Sequence, residues 1–290
     1  MNVNQLNDRF AIDGVVRFEV GEGGLTRLSM TTEHASATLY THGAHVTHFQ
    51  PVGGEPILWM SGASRFETGK AIRGGVPLVF PWFGPRQNDP DAPSHGLVRT
   101  TEWSVTNVER LESGSVCVTL ELSVDTFQVV YRVAVGVTLG LEMVVTNVSG
   151  EPVRFEQAMH TYFTVGDVRK IGVRGLEGVT YIDKLDQLNR KVQSEAPITF
   201  GAETDSVYLD TETTVQIEDP VLGRVIEVQK SGSRSTVVWN PWIDKSAKMG
   251  DFGDDEWPGM VCIESGNIAD NAVELGPGES ANMSASIGLV

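Results

Sequence analysis

The sequence predicts an all-β fold, a large antiparallel β-sandwich, on three observations. Apolar and polar residues alternate with a period of two along most of the chain, and helical periodicity is short and weak. In addition, 31 glycines and 13 prolines are spread between the apolar runs, where a sandwich needs turns. The first strands expected in chain order are Val15–Val20 and Ala37–Tyr40, which alternate, and Ile57–Trp59, a short apolar run. Thr101–Val108 follows. In Val116–Val124, Val116, Val118, Leu120, Leu122 and Val124 share one face, and Cys117, Thr119, Glu121 and Ser123 share the other. Phe127–Asn147 continues the pattern, with Gly136 and Gly140 marking a bend or a turn between two strands. Val153–Tyr162, Val173–Gly175, Val179–Asp183, Val215–Glu218 and Val225–Gln229 come next. Thr236–Trp239, Val261–Glu264 and Ala281–Ile287 complete the set. The best helical signal ends the acidic segment Asp251–Trp257.

At 290 residues, with no linker, repeat or low-complexity tract, the chain reads as a single domain spanning residues 1–290. Hydrophobic residues make up 40 % of it, enough for a large core. Lys and Arg number 22 against 38 Asp and Glu, a net charge of -16. No basic cluster offers a face for phosphate backbones, so nucleic acid is not an expected partner. An anionic substrate would have to be held by local arginines against the overall field. No apolar run reaches membrane-spanning length, and the first residues lack both a basic region and an apolar core. Cys117 and Cys262 give no disulfide framework and suit a reducing compartment. The expectation is a cytoplasmic monomer that meets no membrane.

The most informative stretch runs from Ile72 to Trp103, where Arg73, Trp82, His95, Arg99 and Trp103 stand among glycines and prolines. Such a mixture fixes chain geometry without a long helix and suits a pocket that stacks a sugar ring and clamps its oxygens. His42, His45 and His48 are spaced evenly. On a strand, however, His45 faces away from the other two, so a metal site is not expected and packed or solvated histidines are. The run Asp251–Glu256 lacks the spacing of a calcium loop and reads as a solvated loop. His160, followed at once by aromatic residues, could donate a proton if a carboxylate lies near. Glu264 ends a short apolar run and is costly to bury unless paired or used. Asp205 is a weaker signal that could cap a turn. Trp239 adds flat apolar surface of the kind sugars stack on.

Taken in order, Arg73-Gly74-Gly75-Val76-Pro77, Pro81-Trp82-Phe83-Gly84, His95-Gly96-Leu97-Val98-Arg99, Met159-His160-Thr161-Tyr162-Phe163, Thr204-Asp205, Trp239-Asn240-Pro241 and Cys262-Ile263-Glu264 form a set. The set resembles the aldose 1-epimerase (mutarotase) superfamily. Within it, the set is most similar to the hexose-6-phosphate mutarotases, also called glucose-6-phosphate 1-epimerases. The likeness covers about residues 15 to 288. It implies a β-sandwich of the galactose mutarotase type and exchange of the α and β anomers of a hexose 6-phosphate. His160 would be the general acid that protonates the ring oxygen, and Glu264 the base that takes the proton of the anomeric hydroxyl. His95 would bond the substrate near the reacting centre, while Arg73 and Asp205 would hold hydroxyls. Arg99 is the candidate for the phosphate, and Gln87 and Trp239 would be pocket walls. Gln157-Ala158-Met159 stands before His160 where free-sugar mutarotases have a Thr-Asn pair, which leans away from galactose.

Anomer exchange moves protons at O1 and O5 and neither hydride nor electrons, so no cofactor or metal is implied. Unperturbed Glu and His titrate near ~4.3 and ~6.5. An ionised Glu264 beside a protonated His160 is therefore expected in weakly acidic solution, and a raised histidine pKa would extend that state to pH 7. The alternatives are a free-aldose mutarotase, a non-catalytic sugar-binding domain on the same sandwich, and a glycoside hydrolase with Asp205 and Glu264 as its carboxyl pair.

Overall fold

Phe127–Val135 and Leu139–Asn147 form an antiparallel hairpin in the computed structural model, which describes residues 1–290. Burial alternates along Leu139–Asn147, every odd position being buried. Gly136 lies in the turn, whereas Gly140 lies inside the second strand opposite Ala134. Val116–Val124 and Ser104–Arg110 extend the hairpin on one side. On the other side lie Ser280–Leu289, Arg224–Ser231, Val215–Asp219 and Gly172–Arg174, which complete an eight-stranded sheet. Ser280–Leu289 is inserted between Leu139–Asn147 and Arg224–Ser231 and bonds to both.

The second eight-stranded sheet runs Asn189–Val192, Thr180–Asp183, Thr204–Tyr208, Ser235–Asn240, Met260–Asn267, Gln157–Met159 and Leu78–Val79, with Tyr162–Thr164 also paired to Met260–Asn267. Every residue of Ser235–Asn240 and of Met260–Asn267 is buried. A strand covered on both faces shows no alternation. For that reason Thr204–Tyr208 escapes the period-two reading and Val261–Glu264 comes out too short. Glu264 sits inside a strand and not at its end.

The expected strand Val153–Tyr162 is three short ones, Val153–Phe155, Gln157–Met159 and Tyr162–Thr164. Gln157–Met159 and Tyr162–Thr164 pair with the same strand, Met260–Asn267, and His160 and Thr161 form the break between them. An interruption of this kind re-aims a side chain out of the sheet's regular alternation. Ile57–Trp59 is not a strand but touches one: Leu58 bridges Phe163, and the Trp59 N–H donates to the Tyr162 carbonyl at 3.0 Å.

A smaller four-stranded sheet, Val16–Val20, Thr26–Thr31, Ala35–Tyr40 and His45–Pro51, follows chain order. Its second and fourth strands carry Thr, Ser, His and Gln and escape the sequence reading. The chain opens with a helix, Val3–Phe10, that the sequence reading lacks. Asn2 and Gln5 close a capping box at its start, and Leu6 and Phe10, four apart, bury one stripe. Of the helical signal at the end of Asp251–Trp257 the structure keeps a single 3-10 turn, Trp257–Gly259, and the α-helix nearby is Trp242–Ser246. One cluster of 67 buried apolar residues runs from Leu6 to Ile287 and ties together the two large sheets, the four-stranded sheet and a two-stranded one, Val153–Phe155 with Val273–Leu275. No helix is long and apolar enough to cross a membrane.

Candidate active site

Two glycines permit close backbone crossings beside Arg73 and His95, which line a cavity at the second large sheet. Gly75 has φ +58°, and a Cβ there would stand 2.1 Å from the Val46 carbonyl oxygen. Gly96 has φ +79°, and its Cβ would meet the Phe80 oxygen at 1.9 Å. Only glycine lets these chains approach so closely. Gly96→Ala is expected to cost at least about 1–2 kcal/mol of stability in a thermal melt, from the left-handed backbone alone. An unchanged Tm would show that the loop yields freely.

The cavity has a volume of about 270 Å³ and takes in Arg73, His95, Arg99, His160, Asp205, Trp239 and Glu264. The fold therefore gathers seven of the eight residues singled out in the sequence from positions nearly two hundred apart. The eighth, Gln87, is exposed on the loop after Gly84 and does not line the cavity. Arg86 is exposed as well; it covers the Trp82 ring at 4.5 Å and pairs with Asp89. Two lysines carry no signal in the sequence, while the wall residue Phe83 belongs to the Pro81–Gly84 block. Lys184 and Lys245 line the cavity with Phe83, and in the sequence both lysines look like ordinary surface residues.

His160 Nε2 lies 3.3 Å from Glu264 Oε1 at the centre of the cavity. The His160 ring stacks on Tyr162 at 4.8 Å with an interplanar angle of 8°, and Trp239 meets it edge-on at 5.9 Å. The second carboxyl oxygen of Glu264 and Nδ1 of His160 are buried with no hydrogen-bond partner. Burial pushes the Glu264 carboxyl well above 4.5, and the negative charge of Asp205 adds to that. Burial also holds His160 well below 6.5, helped by His95, Arg73 and Arg99. These directions run against the ionised Glu264 and protonated His160 expected from the sequence: burial favours the neutral form of both groups, with the pair's proton on the carboxyl. The physical reason is that a dry site penalises two charges before it rewards their attraction.

Arg73 is held on both sides. Its guanidinium donates to both carboxylate oxygens of Asp251, at 3.1 Å to the nearer, and to the Tyr162 hydroxyl at 2.9 Å. Burial disfavours its charge, but Tyr162 and Asp251 outweigh that and raise its pKa. Asp251 is thus a tether for Arg73, and Glu256 pins the same loop by accepting from Ser61 Oγ and the Gly62 and Gly253 N–H groups. The segment read as solvated is tied down at both ends.

Arg99 has no carboxylate within ion-pair distance; its one hydrogen bond goes to the Ser94 carbonyl at 2.6 Å. Burial, with Arg73 nearby, lowers its pKa to about 10. Asp205 lies across the ladder from Trp239 and pairs with Lys184 at 3.0 Å, while Lys245 pairs with Glu203 at 2.9 Å. Four cationic side chains thus face a cavity in a chain whose net charge is -16.

His95 has φ +65°, a strained value for a residue with a side chain. Its N–H donates to the Gly84 carbonyl at 2.8 Å, and the Gly84 N–H donates back to His95 Nδ1 at 3.3 Å. With Nδ1 accepting, the ring proton sits on Nε2. Burial, then Arg99, Lys184 and Arg73, hold the ring well below 6.5, so it stays neutral.

The three evenly spaced histidines do not converge. His42 Nε2–H donates to the Lys70 carbonyl and His45 Nε2–H to the Gly74 carbonyl, each at 2.8 Å, and His48 Nε2 lies 3.5 Å from Ser36 Oγ. No group of three or more His, Cys, Asp or Glu side chains is placed to hold a metal ion.

Known proteins share both the sequence and this architecture. The aldose 1-epimerase family profile matches residues 26–288. A Salmonella typhimurium protein named provisionally as a glucose-6-phosphate 1-epimerase is 36 % identical over 238 residues, 79 % of each chain. A Cenchrus ciliaris protein under the same provisional name is 34 % identical over 260 residues, 84 % of this chain and 78 % of that one. The crystal structure of a Salmonella typhimurium protein, provisionally termed a mutarotase, superposes with a TM-score of 0.89 at 30 % identity over 99 % of both chains. An aldose 1-epimerase from Escherichia coli, also provisionally named, shares the fold with a TM-score of 0.70 at 14 % identity, covering 95 % of this chain and 99 % of that one. A profile that covers residues 26–288 and relatives matched over most of their own length leave one conclusion: the chain belongs to the aldose 1-epimerase family and is an isomerase.

Proposed function

We propose that this protein interconverts the α and β anomers of a hexose 6-phosphate, with glucose 6-phosphate the first substrate to test. The observation that carries this reading is the His160–Glu264 pair at 3.3 Å in a cavity faced by an arginine, Arg99, that no carboxylate neutralises. The names of the relatives support the phosphosugar. In the reaction Glu264 accepts the proton of the O1 hydroxyl while His160 delivers one to O5; the C1–O5 bond breaks, the aldehyde turns about C1–C2 and the ring recloses. Only the protonation of the pair as a whole matters, and the pair holds one proton, whether on carboxyl or imidazole. A bound phosphate places negative charge beside Arg73 and Arg99, two of the cations that depress His160, and so favours moving that proton from Glu264 to His160.

Arg99 grips the phosphate, with Lys184 close enough to share it. Trp239 and Phe83 supply the apolar walls, Asp205 accepts from a sugar hydroxyl, and the Nε2–H of His95 donates to substrate oxygen. Arg73 retains donors not used by Asp251 and Tyr162. The continuous core supports reading residues 1–290 as one functional domain. Two buried, unpaired cysteines and a phosphorylated substrate support a cytoplasmic setting.

The test is NMR magnetisation transfer between the anomers of glucose 6-phosphate, beside glucose and galactose. Fast exchange of the phosphosugar is expected, with a bell-shaped pH profile of kcat/KM as the pair gains a second proton on the acid side and loses its one on the alkaline side. No acceleration of any of the three sugars would remove the assignment.

A further inference from the structure

The mechanism leaves one carboxylate beside the cavity without a role. Glu156 stands between Val153–Phe155 and Gln157–Met159, just where the expected long strand breaks. Oε2 accepts from the Phe83 N–H at 2.9 Å, and Oε1 from the Ala269 N–H at 2.7 Å. Its own N–H donates to the Pro81 carbonyl at 3.0 Å. No Lys, Arg or His lies within ion-pair distance. Both oxygens are spent on backbone, and two loops depend on them.

The loop reached through Phe83 carries the next residue, Gly84, whose N–H and C=O are the two groups that bond His95. Phe83 also packs edge-on against the His95 ring, with centroids 4.9 Å apart. The left-handed backbone of His95 is a conformation that persists only where its surroundings over-determine it. These contacts are what over-determines it.

We propose that Glu156 is a positioning residue for the reaction: through Phe83 and Gly84 it fixes His95 in the tautomer that aims an Nε2–H donor at the substrate. Its shape explains why a carboxylate is used. Two N–H groups approach it from different loops, and only a side chain with two acceptor oxygens satisfies both. An amide in its place turns one of those contacts into donor against donor. In Glu156→Gln the Gly84 N–H then drifts from Nδ1, and the His95 ring is free to exchange tautomers. The effect on rate follows because a donor misplaced by about 1 Å costs up to about a hundredfold. The activity part of this inference rests on the proposed anomer exchange; the tautomer part does not.

Two measurements decide it. The first is the proton-coupled 15N spectrum of the histidine rings in the wild-type protein, with His95→Gln to assign the signal. It is expected to show His95 protonated at Nε2 with Nδ1 accepting a hydrogen bond; a proton on Nδ1 would overturn the proposal without any variant having to fold. The second compares Glu156→Gln with wild type, its fold checked by circular dichroism. The expected result is loss of the single-tautomer signature and a fall in kcat of about ten- to a hundredfold, with KM for glucose 6-phosphate changed far less. An unchanged His95 spectrum with wild-type kcat, or a loss confined to melting temperature, would show Glu156 to be a loop tie only. If the wild-type protein exchanges no sugar, the proposed reaction falls while the spectra still report on the positioning.

Discussion

Glu264→Gln is expected to slow anomer exchange by about 10²–10⁴-fold, the range for losing a positioned base, while the protein stays folded and melts at or above the wild-type temperature. Glutamine keeps the shape and a contact to His160 but accepts no proton. The stability change follows from the direction of the pKa shift. A carboxyl whose folded pKa is raised holds its proton where the unfolded chain, near 4.5, has released it. The unfolded state then binds fewer protons, so stability falls as pH rises from about 4.5 toward the folded pKa. Glutamine does not titrate. The variant's advantage in Tm should therefore be absent below pH 4.5 and grow above it. His160, with its pKa lowered, carries the opposite penalty: wild type loses stability as pH falls below 6.5, where the unfolded histidine gains a proton. Equal activity of Glu264→Gln and wild type would dismiss the base assignment; a Tm difference that shrinks with rising pH would show that Glu264 is ionised in the folded protein.

Arg99→Gln is expected to raise KM for glucose 6-phosphate by about 10- to 100-fold, the 1.5–3 kcal/mol scale of a hydrogen bond to a charged group. The preference for phosphosugar over free sugar should fall by the same factor. Arg99 is chosen over Arg73 because its charge is uncommitted: Arg73 is bound by Asp251, and the lysines by Asp205 and Glu203. The same isolation makes Arg99 costly to the fold. Its folded pKa, about 10, lies below 12.5, so its charge opposes folding at every pH below about 10, a penalty relieved only as the pH climbs toward 12.5. At neutral pH the variant should therefore be no less stable than wild type. Equal losses on phosphosugar and free sugar would show that Arg99 does not read the phosphate.

The sheet whose outer face meets water was the legible part of this fold. Along Leu139–Asn147 a wet face forces polar residues into every second position, and the pattern is printed in the sequence. Thr204–Tyr208 and Met260–Asn267 are dry on both sides, and there polarity records the site instead of the solvent. Glu264 stands out for that reason, although its strand is longer than its apolar run suggests, whereas Asp205 gives only a weak local signal and enters through the family resemblance. His160 was visible through its aromatic neighbours. Its placement was not, because it depends on a break in pairing set by Met260–Asn267, a hundred residues further on. Lys184, Lys245 and Glu156 carry no local mark at all: a surface-type residue acquires a role only when distant backbone comes to meet it. Gln87 shows the converse, a polar residue adjoining an informative loop that the chain turns outward. The direction of the His160 and Glu264 shifts was out of reach for the same reason, since burial is a property of the finished cavity.

The position of Ser280–Leu289 has a consequence for synthesis. Its two sheet partners, Leu139–Asn147 and Arg224–Ser231, precede it in the chain and are joined only through it in the folded sheet. As the polypeptide emerges at roughly 5–20 residues per second, the earlier partner waits on the order of ten seconds with a bare edge. An edge of Val and Leu residues left open that long is a template for pairing with another nascent chain. Production of this protein should thus be governed less by its final stability than by what shields that edge before the closing strand arrives.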